Sequence, residues 1–293
     1  MKNLIVNADD LGWTEGVNRG IAEAHSGGLV TSASLLANGR AFGSALDVAR
    51  TNPELGVGVH LNLSNGSPIA NPKEVASLLN AQGQLHLTTD ALFLRIVTSR
   101  LNLDEVQREW EAQIRKVRGA GISPTHLDGH KHVHMLPGFF EITVGLAKKH
   151  GIRGIRISHE DSKLRGWLSS GTQMNTTMLL KQAAQARALK FLARNARELA
   201  NHAGLITTNY FCGIAQTGAL THEGVQALLK NLPNGTTELM CHPGYADGDL
   251  QASPTRLQQS RQGELHILTD ERTRKLVAIQ GIRLISYLVG EMA

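Results

Sequence analysis

Leu4-Ile5-Val6-Asn7-Ala8-Asp9-Asp10 is an apolar run that closes on two adjacent carboxylates. Val57-Gly58-Val59-His60-Leu61-Asn62-Leu63 has the same build with a histidine near its end, and Thr125-His126-Leu127-Asp128-Gly129-His130-Lys131-His132-Val133-His134 is a third such ending. Short β-branched runs read as strands buried on both faces, the kind that belong to a parallel sheet. Parallel α/β sheets present their chemistry at the C-terminal ends of strands, where all three clusters fall.

Working outward, Val-, Ile- and Thr-rich runs recur at 3–8, 30–37, 56–62, 124–128, 153–157, 206–211, 236–241 and 283–287. Helix-period segments lie between them. In 103–117, Leu103, Val106, Trp110, Ile114 and Val117 define an apolar stripe, with Asp104, Glu105, Arg108, Glu109 and Arg115 on the other face. Further helices are expected at 15–27, 40–51, 138–150, 176–200, 221–231 and 270–280. The alternation predicts an α/β fold on a parallel sheet, and the count suits a TIM-barrel-like (β/α) barrel, with an open doubly wound sheet as the alternative because strand order cannot be read from one sequence. Two connections, 64–102 and 158–175, exceed what a crossover needs and read as lid or substrate-binding insertions, the expected seat of specificity.

Composition narrows the class. A chain of 293 residues suits one barrel domain spanning 1–293. The net charge of +5 is interleaved along the chain rather than blocked, which argues against nucleic acid as a partner. Cys212 and Cys241 form no framework and read as reduced thiols. The opening run is too short for a signal peptide, and no stretch approaches the roughly 18 apolar residues of a membrane span, so a cytoplasmic protein is expected.

The chemistry follows from residue type and position. One carboxylate and two imidazoles from separate strands make the protein half of a catalytic metal site with open positions. Strand alternation would send Asp9 and Asp10 in different directions, so one can bind metal while the other takes a proton from water. His60 would need an acceptor to orient its second ring nitrogen, and Asn62 is the neighbour in sequence. Residues 126, 128, 130, 132 and 134 share parity, but at about 3.3 Å per residue no more than one or two of the histidines can reach one ion. His242, held by Pro243 and Gly244, suits a general acid; Arg153 or Arg156 could reach substrate oxygens or pair with Glu160 or Asp161.

Taken together, these segments resemble the YdjC-like family of carbohydrate deacetylases. NADDLG (7–12), VTSASLLANG (30–39), VGVHLNL (57–63), PTHLDGHKHVHMLP (124–137), ELMCHPGY (238–245) and SRQGELHILTD (260–270) match its motifs in order. Leu11 stands where the family commonly has Phe, and Gly129 where it commonly has Ser. The resemblance implies a TIM-barrel-like hydrolase that removes acetyl groups from N-acetylated sugars. It implies one divalent metal ion, zinc or magnesium, on Asp10, His60 and His130, with Asp9 as base and His242 as acid. Asp128, His132 and Arg156 are the expected substrate contacts, the partner is a small carbohydrate or glycoconjugate, and a homodimer is a family-level expectation. The rivals are a metal-dependent hydrolase of another amide or phosphoester, a two-carboxylate glycosidase, and a metal-binding homologue without activity.

Overall fold

The computed structural model describes residues 1–85, 91, 94, 95, 98, 101–172, 193, 195–253 and 255–288. Among the described residues there are eight parallel strands: β1 (Lys2–Leu11), β2 (Ser32–Leu35), β3 (Gly56–Leu61), β4 (His126–Gly129), β5 (Gly154–Ile155), β6 (Tyr210–Cys212), β7 (Gly235–Cys241) and β8 (Ile282–Leu284). They are hydrogen-bonded in the order β5-β4-β3-β2-β1-β7-β6. Isolated parallel bridges, Gly154 to Ile206 and Glu160 to Phe211, tie the two ends of that path together. The result is the expected TIM-barrel-like sheet with one departure. β8 pairs with β1 at Lys2, Asn3 and Leu4, while β2 pairs with β1 from Asn7 onward and β7 takes the other edge from Lys2 to Ala8. β8 therefore supports the base of β1 rather than separating β1 from β7.

Helices cover the sheet: α1 (Glu15–Ser26), α2 (Phe42–Thr51), α3 (Leu103–Gly119), α4 (Phe139–His150), α5 (Ser162–Leu168), α6 (His222–Lys230), α7 (Gly248–Gln251), α8 (Gln259–Thr269) and α9 (Glu271–Ile279). Their starts are written locally. Thr14 caps α1 by accepting from the Val17 N–H, and Asp161 caps α5 by accepting from Lys163 and Leu164. In α3, Val106, Trp110, Ile114 and Val117 are fully buried, whereas Leu103 is 40% exposed.

One expectation changes here. Glu109, placed on the outer face of α3, is buried, because its carboxylate accepts from the Ile69 and Ala70 N–H groups and from Gln113. The connection 158–175 contains α5, so it is partly helical; 173–175 lie outside the described residues. In 64–102 the described portion includes two 3₁₀ turns, Pro72–Glu74 and Ala76–Leu78. The helix expected over 176–200 lies mostly outside the described residues, and 195–202 is helical. Cys212 and Cys241 are free and buried, and no helix among the described residues is long and apolar enough to cross a membrane.

Candidate metal centre and the ion network beneath it

β1 delivers both carboxylates to the same side, and not by strand alternation. Asp10 has φ of 73°, left-handed for a residue with a Cβ, and the β1–β2 register shifts between Ala8 and Leu11. The bulge swings Asp10 back beside Asp9, so the His60 Nε2 lies 3.6 Å from Asp10 Oδ1 and 3.9 Å from Asp9 Oδ2. All three residues are 3% exposed or less.

His60 is oriented by Asp128 rather than by Asn62. Its Nδ1 is 2.8 Å from Asp128 Oδ1, which directs Nε2 toward the carboxylates. Asn62 is occupied with Gln113, Asn38 and Asn65. Burial alone would lower the His60 pKa, but the surrounding carboxylates, Asp128 and Asp9 foremost, outweigh it and raise it to about 9.

The shared parity of 126–134 breaks at Gly129. β4 stops there and a 3₁₀ stretch, His130–Met135, follows, with Lys131 (φ 55°) and His132 (φ 59°) both left-handed. The histidines are dealt to different places. His126 points into the barrel, 2.9 Å from Thr125 Oγ1 and stacked on Tyr287 at 4.2 Å. His130 turns its Nδ1 to within 3.1 Å of Asp10 Oδ1, off the line of a hydrogen bond. His132, 7% exposed, is bonded through Nδ1 to Ser158. His134 Nε2 bonds the Arg156 carbonyl, and its ring fills the space where a Gly129 Cβ would meet Nδ1 at 2.8 Å. Burial pushes His126, His134 and His242 each down to about 4 and lowers His130 and His132.

Among the described residues Arg156 pairs with Asp9, Asp128 and Glu238 rather than with Glu160 or Asp161. It is fully buried at the hub of a network, donating to both oxygens of Asp9 (2.7 and 2.9 Å), to Glu238 (2.8 Å) and to Asp128 (2.6 Å). Asp128, also fully buried, spends its oxygens on His60, Ser34 and Arg156. Both residues, expected as substrate contacts, are thus fully buried and serve as internal struts. Tyr287 donates to the second oxygen of Glu238 at 2.6 Å. Burial works against ionisation of Asp9 and Asp128, but the Arg156 guanidinium outweighs it and holds both carboxyls below the usual range.

A third layer comes from α8. Arg261 Nη2 is 2.5 Å from Asp10 Oδ2, and its charge keeps Asp10 ionised against burial, while its Nη1 is buried with no partner. One turn on, Glu264 accepts from the backbone N–H of His242 at 2.6 Å and from Gly218 at 3.3 Å. That fixes His242 at the end of β7, where its Nδ1 is buried and unbonded.

The donor set can be tested against a metal. Asp10, His60 and His130 bring one ligand atom each within 4.8 Å of the others, as do Asp9, His60 and Asp128. Ligand atoms around an ion at about 2.1 Å stand roughly 3.0–3.4 Å apart. The Asp10–His130 separation of 3.1 Å falls in that range, the Asp10–His60 separation of 3.6 Å lies just beyond it, and Asp10 Oδ1 is buried without a hydrogen bond among the described residues. In the second set every carboxylate is already held by Arg156, so the first is the centre that fits.

The YdjC-like protein family model matches residues 3–278, nearly the whole length. The chain belongs to the YdjC-like family. A carbohydrate deacetylase of Geobacillus stearothermophilus is 34% identical over 97% of this chain and 96% of its own. A chitooligosaccharide deacetylase of Klebsiella pneumoniae is 33% identical over 97% of each. An Enterococcus faecalis crystal structure, provisionally assigned to cellobiose-phosphate cleavage, superposes with a TM-score of 0.78 at 27% identity over 98% of both chains. This YdjC-like chain also uses residues that sequence reasoning passed over: Ser34, Glu238, Arg261, Glu264 and Tyr287. Arg261 and Glu264 lie within the 260–270 segment that carries the resemblance, which was the available signal.

Proposed function

We propose that the chain, acting as one domain over residues 1–293, is a cytoplasmic metal-dependent carbohydrate N-deacetylase that releases acetate from an N-acetylglucosamine-type unit. The observation that carries this is the buried, unbonded Asp10 Oδ1 facing His60 Nε2 and His130 Nδ1. The names of its full-length relatives support the substrate class. Asp10, His60 and His130 would hold one divalent cation, zinc or magnesium. Bound there, it would polarise the acetyl carbonyl and acidify a water.

The remaining steps belong to side chains. Asp9, ionised and aimed at the same point as Asp10, accepts the proton of the attacking water. Arg156 grips both Asp9 oxygens and keeps that carboxylate in place. His242 delivers a proton to the departing nitrogen, because an amine leaves badly as an anion. His132, held by Ser158, contacts the sugar.

A second reading of the acid–base step follows from one observation. His242 is driven toward its neutral form and has a free Nδ1. A neutral imidazole can take the water proton itself and pass the same proton to the nitrogen, leaving Asp9 to orient the water. His242→Gln and Asp9→Asn separate the two, since a bifunctional histidine makes the first substitution the more damaging.

The deciding experiment is acetate release from diacetylchitobiose by metal-loaded protein, beside a chelated control and His130→Ala. Release that needs both the metal and His130 supports the deacetylase. A metal-loaded protein that releases no acetate from this or any N-acetylated sugar refutes it.

A further inference from the structure

Asp9 and Asp10 are neighbours in sequence, yet each is held by a different arginine and to a different extent. Arg156 donates to both oxygens of Asp9, and Asn7 adds a third bond at 2.8 Å. Arg261 pairs with Oδ2 of Asp10, and Oδ1 is left to face His60 and His130. We infer that Arg261 is a positioning residue: it caps Asp10 so that the carboxylate can offer a cation one oxygen rather than two, and it sets a positive charge beside that cation. The inference deepens the deacetylase reading and rests on it for the metal, not for the sugar.

The cap is held stiffly. Arg261 Nε donates to the Leu257 carbonyl at 3.1 Å, one turn back, and the Arg261 carbonyl accepts from the Gly244 N–H at 3.2 Å. Gly244 is itself pressed onto α1, where a Cβ on Gly20 would lie 2.5 Å from the Gly244 Cα. On its other side a Cβ on Gly244 would meet Arg261 Cδ at 3.4 Å. Wedged between the Gly244 turn and α8, Arg261 is 1% exposed and cannot swing away from Asp10 without opening that packing.

An uncapped carboxylate can chelate a cation through both oxygens. With Oδ2 spent on a guanidinium, Asp10 supplies a single atom, and a set of one carboxylate oxygen and two imidazoles keeps positions open for water and substrate. The guanidinium also stays charged at every working pH, and Asp10 is its one ion-pair partner among the described residues. Asp10 therefore meets a cation with its negative charge already shared, so affinity is given up and polarising power is kept. A partner that merely orients a ligand has the opposite signature, since its loss weakens metal binding by about 10- to 100-fold.

The test measures zinc affinity, by competition with a chromophoric chelator, and the visible spectrum of cobalt(II)-loaded protein. It compares full-length wild type with Arg261→Lys, Arg261→Gln and Arg261→Met. The Gln variant keeps a donor for Oδ2 without the charge, so zinc should bind it at least about tenfold tighter, as a like charge near the ion is gone. The Met variant loses donor and charge, so zinc should tighten further and the cobalt bands should weaken as a second oxygen raises the coordination number. The Lys variant keeps the charge and should keep the wild-type affinity. Gln or Met variants that bind zinc no tighter than wild type, a Lys variant as tight as the Gln one, Met-variant cobalt bands as strong as wild type, or a wild type that takes up no metal overturns the inference. If the Met variant does not fold, the Gln and Lys affinities decide by the same criteria. Acetate assays on wild type report the catalytic reading separately: a metal-loaded protein that deacetylates nothing sinks that reading, while the affinities still decide the cap.

Discussion

The centre and the network beneath it are adjoining sets of buried ionisable groups, and they differ in how fully their polar atoms are satisfied. Around Arg156, the carboxylates of Asp9, Asp128 and Glu238 all find donors, with Ser34 and Tyr287 taking up remaining valences. Around Asp10, one carboxylate oxygen, the second Nη of Arg261 and the Nδ1 of His242 have no hydrogen-bond partner among the described residues. Leaving a buried polar atom unbonded costs about 1–3 kcal/mol, so a cluster of them is retained where something else is to bind. The saturated set supplies rigidity, and the unsaturated set supplies affinity for a ligand.

That contrast can be broken by perturbing each side. The largest effect should come from the unsaturated set: chelation or His130→Ala should reduce acetate release to background while the urea midpoint of the metal-free protein barely moves. Asp9→Asn, at the seam between the sets, should keep bound metal by direct metal analysis and lose about 10²–10⁴-fold in turnover. If Asp9→Asn loses the metal instead, the roles of Asp9 and Asp10 are exchanged. Arg156→Met should act mainly on folding, lowering unfolding free energy by about 3–5 kcal/mol because it strands buried carboxylates around an apolar side chain.

Glu264 sharpens the comparison through pH. Burial raises its pKa to about 7, above the 4.5 of an unfolded chain. Below about pH 4.5 both states hold the proton. Between there and pH 7 only the folded state does, so the stability present at low pH is progressively lost, by about 3 kcal/mol in all. Subtracting the urea stabilities of Glu264→Gln from those of wild type over pH 4–8 should give this falling curve; a flat difference would remove Glu264 from the account. The smallest effect expected is that of Asp128→Asn, a loss of about 10- to 100-fold in metal affinity as His60 loses its orienting carboxylate.

Much of the architecture was legible because each strand is a continuous aliphatic run, and such a run announces itself whichever strands it pairs with. The eight expected runs overlap the eight strands of the described residues, although all but β1 and β7 are shorter than expected. The clusters at strand ends were legible for the same reason. What could not be read was which group holds which. Asp128 meets His60 across 68 residues and Arg261 meets Asp10 across 251, and no local pattern encodes either pairing. The turn at Asp10 was hidden too, since an aspartate gives little warning of a positive φ. Asp128 and Arg156 looked like surface chemistry in the sequence because charge usually means exposure, and only the closed barrel shows each charge cancelled inside.

The place of β8 separates two boundaries that are easily confused, that of recognisable sequence and that of a self-sufficient fold. The family match ends at 278, yet the segment after it lays Ile282–Leu284 along β1, bonds the Ile285 N–H to the Leu4 carbonyl, and seats Tyr287 on both Glu238 and His126. A chain cut at 278 would keep every motif by which its relatives are known and lose the plug in the floor of its barrel. Water admitted there would reach Glu238 and, through Arg156, the carboxylate proposed to take the proton. The tail beyond the family match is therefore part of what keeps the catalytic floor dry.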